Sequence, residues 1–126
     1  MHLYIGGVYQ GKRACAARRF ALNDSDFFTC SADSAKLDLR ARGIDRLEEY
    51  VLACVRAGLD PRAVFLRDPA AWAESVICCA DIFCGVVPLE AEERAWREET
   101  GRLCAFLSEK AESVTRVWCG LEQRLK

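Results

Sequence analysis

The stretch from residue 3 to residue 22 restricts the fold more than any other. A short β-type run, Leu3-Tyr4-Ile5, ends in Gly6-Gly7 and continues as Val8-Tyr9-Gln10-Gly11-Lys12. Ala14, Ala17 and Ala21, interleaved with Arg13, Arg18 and Arg19, then predict a helix from Lys12 to Leu22. A tight glycine turn between strand and helix lets backbone N–H groups converge, where they can hydrogen-bond phosphate oxygens. The helix N-terminus adds partial positive charge, and a lysine at its start can reach the β- and γ-phosphates. Gly6-x4-Gly11-Lys12 supplies each of these parts. Gly6, Gly7, Val8, Tyr9, Gln10, Gly11, Lys12 and Arg13 are therefore the expected nucleotide-binding residues, with an ordinary glycine turn as the plainer reading. After such a lysine the usual residue is Ser or Thr, whose hydroxyl binds Mg²⁺. Here it is Arg13, which cannot ligate a cation but can neutralise phosphate charge. Either magnesium is held differently, or nucleotide is bound without efficient turnover.

The rest of the chain alternates strand and helix signals. Asn23-Asp24-Ser25-Asp26 breaks the first helix, and Phe27 to Cys30 predicts a second strand. Residues 31–43 are polar and lack a clear period, and Asp45-Arg46-Leu47-Glu48 has the form of a capping box. Leu47, Tyr50, Val51, Cys54 and Val55 share a helical face that Gly58 can end. Asp60-Pro61 and Asp68-Pro69 predict two short helices. Val76 to Cys79 reads as a strand buried on both faces, and residues 81–88 as a turn region. The longest helix is expected from Leu89 to Ala111, with Leu89, Trp96, Leu103, Leu107 and Ala111 as its stripe and Glu93–Arg97 and Glu98–Arg102 as outer pairs. Val114 to Cys119 predicts a strand, Gly120 a turn, and Gln123 to Lys126 a last edge strand. The sum is an α/β chain with a largely parallel sheet.

At 126 residues the chain can close one core, and 52% apolar with 29% charged residues is a globular composition. Eighteen basic against nineteen acidic residues give a net charge of −1, which argues against a general nucleic-acid or membrane-surface binder. No apolar run approaches the ~18 residues of a membrane span. Met1 runs into a strand-like segment without a basic n-region and apolar h-region, so no signal peptide is expected and the expected location is cytoplasmic. Eight cysteines are present without a Cys-x-x-Cys pair, and His2 is the sole histidine. Most of these cysteines are read as small apolar core residues rather than as metal or redox groups.

A phosphoryl-transfer site also needs a carboxylate at a neighbouring strand end, holding Mg²⁺ or positioning the attacking group. Asp81 follows the strand ending at Cys79-Ala80, where open parallel sheets place ligands; a turn-forming aspartate is the alternative. Gly6 to Arg13, taken with Ala80-Asp81-Ile82-Phe83-Cys84-Gly85-Val86-Val87-Pro88, resembles the adenosylcobinamide kinase / adenosylcobinamide-phosphate guanylyltransferase family. The run Arg94-Ala95-Trp96-Arg97-Glu98-Glu99-Thr100-Gly101-Arg102-Leu103-Cys104-Ala105, with Cys104-Ala105 in place of the family's Asn-Gln pair, and the ending from Val117 to Lys126 are similar to that family too. The resemblance covers about the first 20 residues and the last 50, and marks a short, divergent member. It implies a P-loop NTPase-like three-layer domain over residues 1–126, shortened at about 23–75, that assembles as a homotrimer. It further implies phosphorylation of the cobinamide aminopropanol hydroxyl with ATP or GTP and Mg²⁺. Lys12 and Asp81 would be catalytic, with Asp81 on the metal. Arg94, Arg97 and Arg102 stand as phosphate or subunit contacts, or as solvated helix pairs. The family's guanylylated histidine has no counterpart in the shortened middle, so guanylyl transfer is not expected.

Overall fold

A computed structural model describes all residues from Met1 to Lys126. In chain order the elements are β1 (His2–Gly6), α1 (Lys12–Phe20), a 3-10 turn (Asp24–Asp26), β2 (Phe27–Thr29), β3 (Gly43–Asp45), α2 (Leu47–Ala57), α3 (Ala63–Arg67), β4 (Val76–Ala80), α4 (Ala91–Lys110), β5 (Ser113–Trp118) and β6 (Leu121–Arg124). The six strands form one sheet in the order β2-β3-β4-β1-β5-β6. Every pairing is parallel except the last, β5 with β6. No helix is long and apolar enough to cross a membrane.

Strand alternation divides the core into two layers. Along β1, Leu3 faces a core shared with Ile77 and Cys79 of β4, Val51 and Cys54 of α2, and Leu103 and Leu107 of α4. Tyr4 points the other way, into a smaller core with Val76, Cys78, Val117 and Cys15 and Ala16 of α1. Helices therefore cover both faces of a mostly parallel sheet, as period-two burial requires of its central strands. Six of the eight cysteines are buried, and only Cys84 and Cys119 are exposed. Burial pushes the Cys30 thiol up to about 12, as for a small core residue rather than a reactive thiolate.

The structure corrects several local expectations. A strand, β3, lies within and beyond the stretch read as aperiodic, paired to β2 and β4. Asp45 ends that strand instead of capping a helix, and Arg46 precedes α2 in the left-handed conformation (φ 57°). Glu48 does not close a capping box, because its carboxylate accepts from Ala80 N on β4 at 2.9 Å. After Asp68 the chain makes turns, not a helix, since Trp72 must reach inward. Its indole donates to the Phe65 carbonyl at 3.0 Å and meets the Phe65 ring edge-on. The apolar stripe of α4 holds at Leu103 and Leu107, whereas Leu89 lies outside the helix and is exposed. The last strand starts two residues early because Cys119 (φ 49°) and Gly120 (φ 75°) form a two-residue hairpin turn.

Candidate functional site

The loops after β1 and β4 leave the sheet in opposite directions, towards β2 and towards β5 on the far side of β1. Open parallel sheets hold ligands at such a reversal, outside the carboxyl ends of the strands. The carboxyl ends of β1, β3 and β4 here carry Gly6, Asp45 and Ala80. Beside them lies a cleft of about 710 Å³, lined by Val8, Tyr9 and Gly11 to Ala14 on one side, by Asp45, Arg46, Glu48 and Glu49 on another, and by Ile82 and Trp96. That volume falls within the ordinary range for a small-molecule pocket.

The glycine-rich loop is shaped from within and held from outside. Tyr9 (φ 62°) and Gly11 (φ 89°) are left-handed, and Gln10 N donates to the Gly7 carbonyl at 3.3 Å. Where right- and left-handed residues alternate, successive N–H groups turn to one side and can bind an anion; here the Gln10 N–H is engaged within the loop. The turn after β5 braces this loop. Cys119 N donates to Gln10 Oε1 at 2.6 Å, and Gly120 N donates to the Gln10 carbonyl at 3.0 Å. Tyr9 and Arg46 both line the cleft and both have positive φ, so two strained non-glycine residues meet there. Such residues gather at ligand sites.

Charges in the cleft are mostly paired with each other. Arg13 Nη2 bonds Asp24 Oδ1 at 2.8 Å, and its Nη1 reaches Asp45 Oδ2 at 3.4 Å. Arg46 pairs with Glu49 at 3.0 Å. Lys12 alone among the lining cations has no carboxylate partner; its Nζ donates to the Gly7 carbonyl at 2.8 Å. Lys12 therefore sits on the first turn of α1 with its charge available to an anion, where the helix N-terminus reinforces it.

Glu48 is the other unusual group. It is 7% exposed, its carboxylate caps Ala80 N, and its backbone carbonyl accepts from Trp96 Nε1 at 2.6 Å. Burial raises its pKa, and the Ala80 N–H and the Lys12 charge pull in the opposite direction. Glu48 also lines the cleft, so a carboxyl that holds its proton more tightly than usual faces it.

The expected site residues divide into two groups. Val8, Tyr9, Gly11, Lys12 and Arg13 line the cleft, whereas Gly6, Gly7 and Gln10 belong to the loop without lining it, and Asp81, just after β4, stands beside the loop and outside the lining. Its Oδ1 is 3.9 Å from where a Cβ on Gly7 would stand, and its N–H donates to the Gly6 carbonyl at 3.1 Å. The arginines of α4 point elsewhere. Arg97 donates to the Cys84 and Gly85 carbonyls at 2.9 and 3.1 Å and also to that of Val86, so the expected Glu93–Arg97 pair gives way to a clamp on the preceding loop. Arg94 donates to the Pro88 and Leu89 carbonyls, and Arg102 pairs with Glu98 and Glu99 on the surface. His2 opens the five-residue β1, about 13 Å from Gly6, and bonds Ser113 Oγ at 2.8 Å. Asp45 and Glu48 are the site residues that sequence reasoning missed. Their signal was a Gly-Ile-Asp run directly before a helix, too short to read as a strand.

The donor set disagrees with Mg²⁺ at the β3 carboxylate. Magnesium takes oxygen ligands in near-octahedral geometry, whereas Asp45 offers one oxygen to the Arg13 guanidinium and the other to Arg46 N at 2.9 Å. No group of three or more His, Cys, Asp or Glu side chains is placed to hold a metal ion. No protein-family model matches the chain, and neither does any curated protein.

Proposed function

We propose that this chain is a nucleotide-binding protein of the adenosylcobinamide kinase type. It holds ATP or GTP by its triphosphate on Gly6 to Arg13 and delivers the γ-phosphoryl group to the aminopropanol hydroxyl of a cobinamide-type alcohol, breaking the bond to the β-phosphate oxygen and releasing ADP or GDP. The observation that carries the reading is Lys12: a cation without a carboxylate partner, at a helix N-terminus, on the wall of a 710 Å³ cleft. In this reading the loop N–H groups cradle the phosphates, and Lys12 stabilises charge developing on the transferred group. Glu48 accepts the proton of the attacking hydroxyl, and Asp81, beside Gly7, orients it. The distance of His2 from the loop argues against guanylyl transfer through that residue. Phosphorylation of cobinamide by the purified protein, with Lys12→Ala as control, tests the reading. Product above the control supports it, and product equal to the control removes the kinase assignment.

A second reading has its own observation. Arg13, at the sequence position where P-loop enzymes carry the magnesium-binding hydroxyl, engages Asp45 and Asp24. That arrangement favours a relative that binds nucleotide without turning it over. Nucleotide binding with no transfer to any alcohol acceptor is the outcome that selects it.

A further inference from the structure

We infer that Arg13 is a built-in substitute for the divalent cation, so that this cleft takes metal-free nucleotide and binds it independently of Mg²⁺. The inference rests on the nucleotide reading above and specifies the ionic form of its ligand. Arg13 occupies the second position of α1, directly after Lys12, and lines the cleft. Its guanidinium is fixed on several sides. Nη1 meets Asp45 Oδ2 at 3.4 Å and Thr29 Oγ1 at 3.3 Å, and Nη2 meets Asp24 Oδ1 at 2.8 Å. The planar group also lies 4.5 Å from the centre of the Phe27 ring.

Four elements of the fold therefore converge on one charge: α1, the 3-10 turn, β2 and β3. The Asp45 side chain is only 15% exposed, and a largely buried carboxylate needs a positive partner there. Where a serine or threonine follows the lysine, its hydroxyl ligates a divalent ion that neutralises the nucleotide's phosphates. Here a delocalised, permanently charged group stands at that position instead, and its pairing with Asp45 repels a divalent ion from that carboxylate. Arg13 keeps further N–H donors on a side chain that is 34% exposed, and these can meet phosphate oxygens at the cleft wall.

Calorimetric titration with ATP and with GTP, each in excess EDTA and in excess Mg²⁺, tests this. The wild-type dissociation constant is expected to agree within about twofold between the two conditions. Arg13→Ser, with Asp45 released and a hydroxyl restored, is expected to lose about tenfold or more in EDTA and to regain affinity with Mg²⁺. A wild-type affinity at least about tenfold tighter with Mg²⁺ overturns the inference while leaving nucleotide binding intact. An Arg13→Ser protein with the wild type's metal independence also overturns it, and reduces Arg13 to a strut. Absence of affinity under both conditions overturns the nucleotide reading and this inference together. Should Arg13→Ser fail to fold, the wild-type comparison decides alone.

Discussion

Replacing Gly6 with alanine tests how the loop is positioned. A Cβ at Gly6 would stand 2.2 Å from the Val117 carbonyl oxygen and 3.2 Å from its carbon, both backbone atoms of β5. Ordinary C···O contacts lie near about 3.3–3.6 Å, so one strand must move by roughly 1 Å. Neither strand is free to do so, because β1 is hydrogen-bonded to both β4 and β5. Gly6 also has φ 154°, which an alanine rarely adopts. Backbone strain of this kind costs about 1–3 kcal/mol, and overpacking adds about 1–3 kcal/mol. The expected loss is thus about 2–6 kcal/mol, a large share of a total stability of about 5–15 kcal/mol. With a urea m-value of about 2 kcal/mol/M, the unfolding midpoint should fall by about 1–3 M. Gly58→Ala is the control: φ is 66° there, with nothing within 4 Å of the added carbon. It should lose only about 1 kcal/mol. If Gly6→Ala costs no more than Gly58→Ala, the close approach of β1 to β5 is refuted.

Glu48→Gln should flatten the pH dependence of stability. Burial raises the folded-state pKa of Glu48, so the folded protein binds its proton more tightly than the unfolded chain does. Wild-type stability then falls as pH rises from the ordinary carboxyl range, about pH 4, through the raised value, and the neutral amide of the variant removes that contribution. Melting temperatures across that range check this, and an unchanged slope in the variant contradicts it. With a thiol reagent, two cysteines (Cys84 and Cys119) should react in the native protein and the six buried ones only after unfolding. Fast reaction of a third thiol would contradict the core assignment.

Much of the fold follows from patterns the chain states locally. Leu3 to Lys12 announced strand, turn and helix because Gly6 and Gly11 meet a backbone requirement there, and Val76 to Cys79 announced a buried strand by being apolar throughout. Gly43 to Asp45 did not, since three residues carry no period and their strand character comes from β2 and β4 on either side. Gly43 is needed because the Phe27 ring covers it: an added Cβ would stand 2.5 Å from Phe27 Cδ1. Half of the cleft escaped for the same reason. Asp45 and Glu48 look like helix-capping residues in the sequence, and only tertiary pairing sends one to Arg13 and the other to Ala80. The arginines of α4 were ambiguous because a helical spacing of four does not reveal a loop folded back within reach.

The most direct test of nucleotide binding on the glycine-rich loop is backbone amide NMR of the ¹⁵N-labelled protein during titration with ATP or GTP. The account predicts that the largest shifts fall on the amides of Gly7 to Arg13, with smaller ones at Asp45 and Glu48. In Lys12→Ala they should require at least about tenfold more nucleotide, with the rest of the spectrum unchanged. Shifts centred elsewhere, or a Lys12→Ala protein that titrates like the wild type, would contradict it.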